Sequence, residues 1–160
     1  MYYATGSRMK PSNNIRDFDH SLPMALMRAR ESVMKTFIPH LRAHDLSAQQ
    51  WRVLRALYES DGLEMTEISK SCFLLMPSLT RIVQKLSNRG LVLRRVSTKD
   101  QRRSIISLTE QGDKLFQLIA PETEILYSHI TDAFGYEKME LLYELLDELV
   151  QKLNNPKAES

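Results

Sequence analysis

From Pro77 to Leu86, five polar residues (Ser78, Thr80, Arg81, Gln84 and Lys85) alternate with Leu79, Ile82, Val83 and Leu86. The apolar set recurs at steps of three, one and three, the period of a helix with one buried face. The polar set is of the types that read DNA. A hydroxyl bonds a phosphate or a base edge, Arg grips guanine with two hydrogen bonds, and Gln suits adenine. Lys85, a turn further on, is as well placed for a phosphate as for a base.

A second basic group follows at once. Thr98-Lys99-Asp100-Gln101-Arg102-Arg103 lies between Leu91-Val92-Leu93 and Ile105-Ile106, which have the form of strands able to face a core. The connection is too long for a minimal two-residue hairpin. A ribbon held beside the polar helix would dip its tip into the adjacent minor groove, where narrow A·T-rich DNA concentrates negative potential. Arg102 is the tip candidate, with Lys99 and Arg103 nearby, and Asp100 is expected to shape the loop by pairing with Arg103 or Arg102. The competing reading is a solvated hairpin whose charges block edge-to-edge pairing.

The charge distribution favours DNA. Over 160 residues the formal net charge is only +2, but residues 77–108 carry eight basic residues against Asp100 alone. The preceding 76 residues sum to +2 and the following 52 to −7. A positive segment within a near-neutral chain points to a polyanion-binding surface.

The elements that must position these groups follow from periodicity and caps. A helix is expected from Ser21 to about His44, kinked or restarted at Pro39. Ser47-Ala48-Gln49-Gln50 has the form of a capping box and opens a second helix with Trp51, Val53, Leu54, Leu57 and Tyr58 on its apolar face, ended by Asp61-Gly62. Leu63-Glu64-Met65 could pair as a brief strand, and a short helix then runs from Thr66 to near Phe73. Pro77 suits the first position of the polar helix, and Gly90 stops it. Thr109 caps a long helix to about Phe134, interrupted by Pro121, and a Leu-rich helix closes the chain from about Glu137 to Asn154. Two short helices in tandem followed by a basic ribbon form a winged helix-turn-helix, so the fold class is mainly α with a small β-wing.

The run P-S-L-T-R-I-V-x-K-L-x-x-x-G-L-V-x-R from Pro77, then D-x-R at Asp100 and S-L-T-x-x-G at Ser107, resembles the MarR family of winged helix-turn-helix regulators. The resemblance covers roughly Ser21 to Leu153. It implies a homodimer on a pseudo-palindromic operator, usually a repressor released by a small ligand. By the same resemblance, residues 46–108 are the DNA-binding lobe, 21–45 and 109–154 the dimerisation region, 1–20 an arm and 155–160 a tail. A-L-x-x-A-R-E-x-x-M from Ala25 and L-S-A-Q-Q-W-R-V-L-R from Leu46 are similar to the homoprotocatechuate-degradation repressors of that family. This implies control of aromatic-acid catabolism with a phenolic effector; the alternative is a regulator of another stress or efflux operon.

Family pockets lie between the dimerisation helices and the DNA-binding lobe. Here that region would offer Arg30, Trp51, Arg55, Met27, Met34 and Ser21, with His20 close by. An aromatic acid needs an apolar slot and one cation. Arg30 is the expected carboxylate partner and Trp51 the stacking wall. The bland alternative is that Arg30 pairs with an acidic residue across the dimer and Trp51 is core.

Other chemistry is poorly supported. The chain has no Gly-rich phosphate loop, nucleophile elbow or zinc-protease motif, so neither an enzyme nor a cofactor is expected. A helical interaction dimer without DNA readout would leave the basic segment unexplained. His40 and His44 are four apart, but no third metal ligand is evident, and they read as an exposed pair. Cys72, the single cysteine, reads as a buried structural thiol in a reducing compartment. No run is long and apolar enough to span a bilayer and no secretory signal is apparent, so the chain is expected to be cytoplasmic.

Overall fold

Residues 16–98, 100 and 102–155 are described by the computed structural model. The elements run α1 (Leu22–Ala43), α2 (Ala48–Tyr58), β1 (Leu63–Glu64), α3 (Met65–Cys72), α4 (Met76–Asn88), β2 (Val92–Val96), β3 (Ser104–Leu108), α5 (Glu110–Phe134) and α6 (Tyr136–Asn154). By contact density the chain divides into a unit ending at Val33 and a unit beginning at Met34. The core described below belongs to the second.

The capping box at Ser47 forms as expected. The Gln50 backbone N–H donates to Ser47 Oγ at 3.1 Å and the Ser47 N–H donates to Gln50 Oε1 at 2.8 Å, an arrangement worth about 1 kcal/mol. Helix α2 then buries Trp51, Val53, Leu54 and Leu57 against Ile68 and Cys72 of α3 and Leu79, Val83 and Leu86 of α4. Helix α2 stops at Tyr58, with Glu59 as its C-cap, so Gly62 does not cap it. Gly62 serves the strand instead: at φ +142°, a Cβ there would stand 2.7 Å from Ile105 Cγ2.

The three strands form an antiparallel sheet in the order β1-β3-β2. Leu63 pairs with Ile106 and Val92 with Leu108. Ile106 is fully buried, and Leu91 and Val92 are buried as well.

The S-L-T-x-x-G segment has a steric reason. Thr109 caps α5 by accepting from the Gly112 N–H at 3.0 Å, while its hydroxyl donates to Gly90 O at 2.5 Å. Gly112 lies so close to the chain after α4 that an added Cβ would sit 2.0 Å from Leu91 O. Only glycine allows α5 to start there. The wing base, the end of α4 and the start of α5 are thereby locked together.

Helix continuity corrects two expectations: α1 does not restart at Pro39, and α5 is not interrupted at Pro121. Each Pro forfeits one N–H donor to the preceding turn, and neither helix ends there. Helix α6 has its expected extent but buries none of its residues. Leu141, Leu142, Leu145, Val150 and Leu153 stay exposed.

Candidate DNA-binding face and effector site

The turn between α3 and α4 is built for tight geometry. Phe73 takes a left-handed conformation at φ 51°, Leu74 N–H donates to Ser69 O at 3.0 Å, and Ser69 Oγ donates to Leu74 O at 2.6 Å. Leu75, the N-cap of α4, offers no side-chain cap, and Pro77 follows in the first turn. Leu79, Val83 and Leu86 go into the core. Ser78, Thr80, Arg81, Gln84 and Lys85 are all exposed, as the sequence implied.

Their bonding divides them. Among the described residues, Arg81 and Lys85 take no ion pair or side-chain hydrogen bond. Thr80 Oγ1 donates back to Met76 O at 2.9 Å, leaving its oxygen to accept. Gln84 Nε2 donates to Asn88 Oδ1 at 2.8 Å, so one of its amide protons is held within the helix.

In the wing, Ser97 N–H donates to Arg103 O at 2.8 Å and closes the β2–β3 ribbon beyond its last strand pair. Asp100 shapes the tip as expected. Its carboxylate accepts from the Arg102 N–H at 3.0 Å, its carbonyl from the Arg103 N–H at 2.9 Å, and it pairs with Arg103 Nε at 3.4 Å. Arg102 is exposed, with no side-chain partner among the described residues. Arg103 is differently placed: its Nη1 donates to both Glu64 carboxylate oxygens, at 3.1 and 3.3 Å. That hydrogen bond, the charge of Glu64 and the charge of Asp100 together raise the Arg103 pKa above its ordinary value. Lys99 lies outside the described residues.

Helix and wing meet across a shallow cleft of about 310 Å³, lined by Thr66, Met76 and Thr80 on one side and Arg94, Arg102 and Arg103 on the other. Arg94 and Thr66 were not among the residues picked from sequence. Arg94 stood in the basic count, but which strand face it takes depends on register, here opposite Ile106. Conversely, Arg89 leaves the surface charge: its guanidinium donates to the carbonyls of Asp45 at 2.6 Å and His44 at 3.2 Å.

The expected effector residues fall in both units. In the first, Ser21 Oγ donates to Phe18 O at 3.0 Å, Met27 is exposed, and Arg30 is exposed and pairs with its neighbour Glu31 at 2.7 Å. His20 pairs with Asp17 at 2.8 Å and holds the Asp17 carboxyl below its ordinary pKa. In the second, Met34 packs against the core. Trp51 is buried and stacked on Phe116, with centroids 4.9 Å apart, and Tyr58 stacks on Phe116 as well. Arg55 donates to the Tyr127 hydroxyl at 3.2 Å and stands 6.0 Å from that ring's centre, and Tyr127 packs on Phe37 at 4.7 Å. Tyr127 was missed; it lies 72 positions from Arg55 in the chain, with no local signal linking them.

The histidine pair also needs correction. His40 and His44 are partly buried rather than exposed, and α5 brings Glu122 to them. Cys72 is buried, as expected, and burial pushes its thiol pKa up.

A tandem helix pair presenting a polar face beside an Arg-bearing wing defines a winged helix-turn-helix protein of the DNA-binding class. Residues 44–103 match the model of the MarR family. The chain is 39% identical to the homoprotocatechuate degradative operon repressor of Escherichia coli, over 87% of this chain and 93% of that one. It is also 39% identical to the HTH-type transcriptional regulator FarR of Neisseria gonorrhoeae, over 82% and 90% of the two chains. The crystal structure of NadR in complex with 4-hydroxyphenylacetate superposes with a TM-score of 0.74 at 37% identity, covering 88% of this chain and 97% of that one. The chain belongs to the MarR family of transcriptional regulators. Among the described residues no helix is long and apolar enough to cross a membrane.

Proposed function

We propose that the protein is a homodimeric repressor that reads a pseudo-palindromic operator and is released by an aromatic acid. The observation that carries the DNA reading is the cleft shared by α4 and the wing, with Thr80 facing Arg94 and Arg102. Helix α4 in a major groove would present Arg81 and Gln84 to base edges, with Ser78 and Lys85 on phosphates. The wing would run along the backbone and lower Arg102 into the minor groove. Arg103 acts as a positioning residue, since its guanidinium is engaged by Glu64.

A second copy of the chain is the natural cover for α6, which leaves Leu141, Leu142, Leu145 and Leu153 exposed. Isologous burial by a symmetric partner suits such a face, and two half-sites supply the specificity that one helix-turn-helix lacks. Residues 109–154 and the first helix are therefore assigned to dimerisation.

For the effector, Arg55 has a better claim than Arg30. It stands beside the phenol of Tyr127, whose ring packs on Phe37, and pairs with Glu59 only at 3.8 Å, whereas Arg30 pairs with Glu31 at 2.7 Å with no aromatic ring recorded beside it among the described residues. A guanidinium next to an aromatic ring matches a ligand that is both aryl and carboxylate. The complex of NadR, in which 4-hydroxyphenylacetate is the named ligand, makes that acid the first probe. Calorimetric titration with it should give saturable binding that Arg55→Ala abolishes and Tyr127→Phe weakens. Binding unaffected by Arg55→Ala would move the carboxylate site elsewhere, and no binding would remove this acid as effector.

A further inference from the structure

The end of α1 carries a cluster that DNA reading does not use. His40 lies in the last turn of α1, His44 just beyond it, and Glu122 on α5. His40 Nδ1 stands 3.0 Å and His44 Nε2 3.8 Å from the same oxygen, Glu122 Oε2. All three ligand atoms lie within 4.8 Å of one another. Donors around a tetrahedral zinc ion are about 3.3 Å apart, as metal–ligand lengths near 2.0–2.1 Å require. Small side-chain rotations would bring this set to that spacing.

We propose that His40 Nδ1, His44 Nε2 and Glu122 Oε2 form a site for a divalent transition-metal cation of the zinc type, with water in the fourth position. Two imidazoles and one carboxylate are a zinc donor set, and the turn that follows α1 brings the His44 ring to 5.4 Å from that of His40. The other ring nitrogen of His40 is buried and has no hydrogen-bond partner among the described residues. The ring's polar contact is thus concentrated at Nδ1, facing the cluster. Access is open, since the Glu122 side chain is 54% exposed and the histidines 17% and 22%.

The location gives the ion a consequence. Arg89, the C-cap of α4, donates to the carbonyls of His44 and Asp45. A cation at His44 and Glu122 would pin that turn to α5, and with it the end of the recognition helix. The site itself does not depend on the DNA reading.

The test is a zinc titration of the chelator-stripped full chain against a chromophoric competitor, with the cobalt(II) absorption spectrum as a second readout. The variants are His44→Gln and Glu122→Gln, both at accessible side chains, with His20→Gln as control because His20 pairs with Asp17 elsewhere. Far-UV circular dichroism checks that all are folded. One equivalent of zinc should bind to the native chain and to the His20 variant, with a tetrahedral cobalt spectrum and a raised melting temperature. Both effects should be lost in His44→Gln and Glu122→Gln. Failure of the native chain to compete for zinc, or binding that persists in either cluster variant, would overturn the site.

Discussion

Arg103, on the wing, donates to both carboxylate oxygens of Glu64, the last residue of β1 and the one that precedes α3. The wing is therefore tied to the start of the helix-turn-helix by a side-chain contact as well as by the β1–β3 pairing. Asp100 holds the same guanidinium from the tip side.

That clamp makes an unusual expectation. Deleting an acidic charge beside a DNA face ordinarily strengthens binding to any duplex. Glu64→Gln should instead lower the ratio of operator to scrambled-duplex affinity, because the wing loses its anchor. Arg103→Lys should act in the same direction, since an ammonium cannot reproduce the forked contact. Anisotropy with both duplexes reads the ratio directly, and a ratio raised or unchanged in both variants would dismiss the clamp.

Arg81 and Lys85 should fail differently. Arg81→Ala should cost about 1–3 kcal/mol of operator binding and relax preference at one base position. Lys85→Ala should weaken binding to all sequences and reduce the salt slope by about one. Titrations at several salt concentrations against single-base operator variants separate the two.

Gly112→Ala should damage stability rather than contact chemistry. The new Cβ would collide with Leu91 O at 2.0 Å, a backbone atom that cannot swing aside, so a loss of at least about 3 kcal/mol is expected. Thr109→Val, which removes the cap bonds to Gly112 and Gly90, should cost about 1 kcal/mol. Denaturant unfolding of the two variants gives the order.

Cys72 should be inert in the folded chain. Burial raises its thiol pKa, opposed only in part by Ser71 and Arg52, so the reactive thiolate is scarce near neutral pH. A disulfide reagent should label it only at the rate of unfolding. Because folding favours the protonated thiol, its contribution to stability is intact below the unfolded thiol pKa and declines as pH rises through the folded value. A Cys72→Ala variant should lack that alkaline decline.

Much of this fold is local and was therefore legible in the sequence. The Ser47 box, Pro77 and the Thr109 cap mark boundaries through bonds within a few residues. What stayed hidden depends on distance along the chain. Pro39 and Pro121 looked like interruptions because sequence shows the lost N–H but not the contacts that carry a helix past it. Asp100 could be paired with Arg103 by proximity, whereas Glu64, 39 positions away, could not. The same holds for Tyr127 beside Arg55 and for Glu122 beside His40 and His44. Gly62 shows the limit of a residue-type rule: it reads as a helix cap and is in fact a close approach to Ile105.

The central claim is sequence-selective reading of DNA by α4 and the wing. Fluorescence anisotropy with the DNA upstream of the chain's own gene tests it most directly, comparing the native chain with Arg81→Glu and adding a scrambled duplex at each salt concentration. Tight, salt-dependent binding that prefers the native duplex and collapses in Arg81→Glu is expected, with the variant still folded and dimeric. Equal affinity for both duplexes, or a charge reversal at Arg81 without effect, would contradict it.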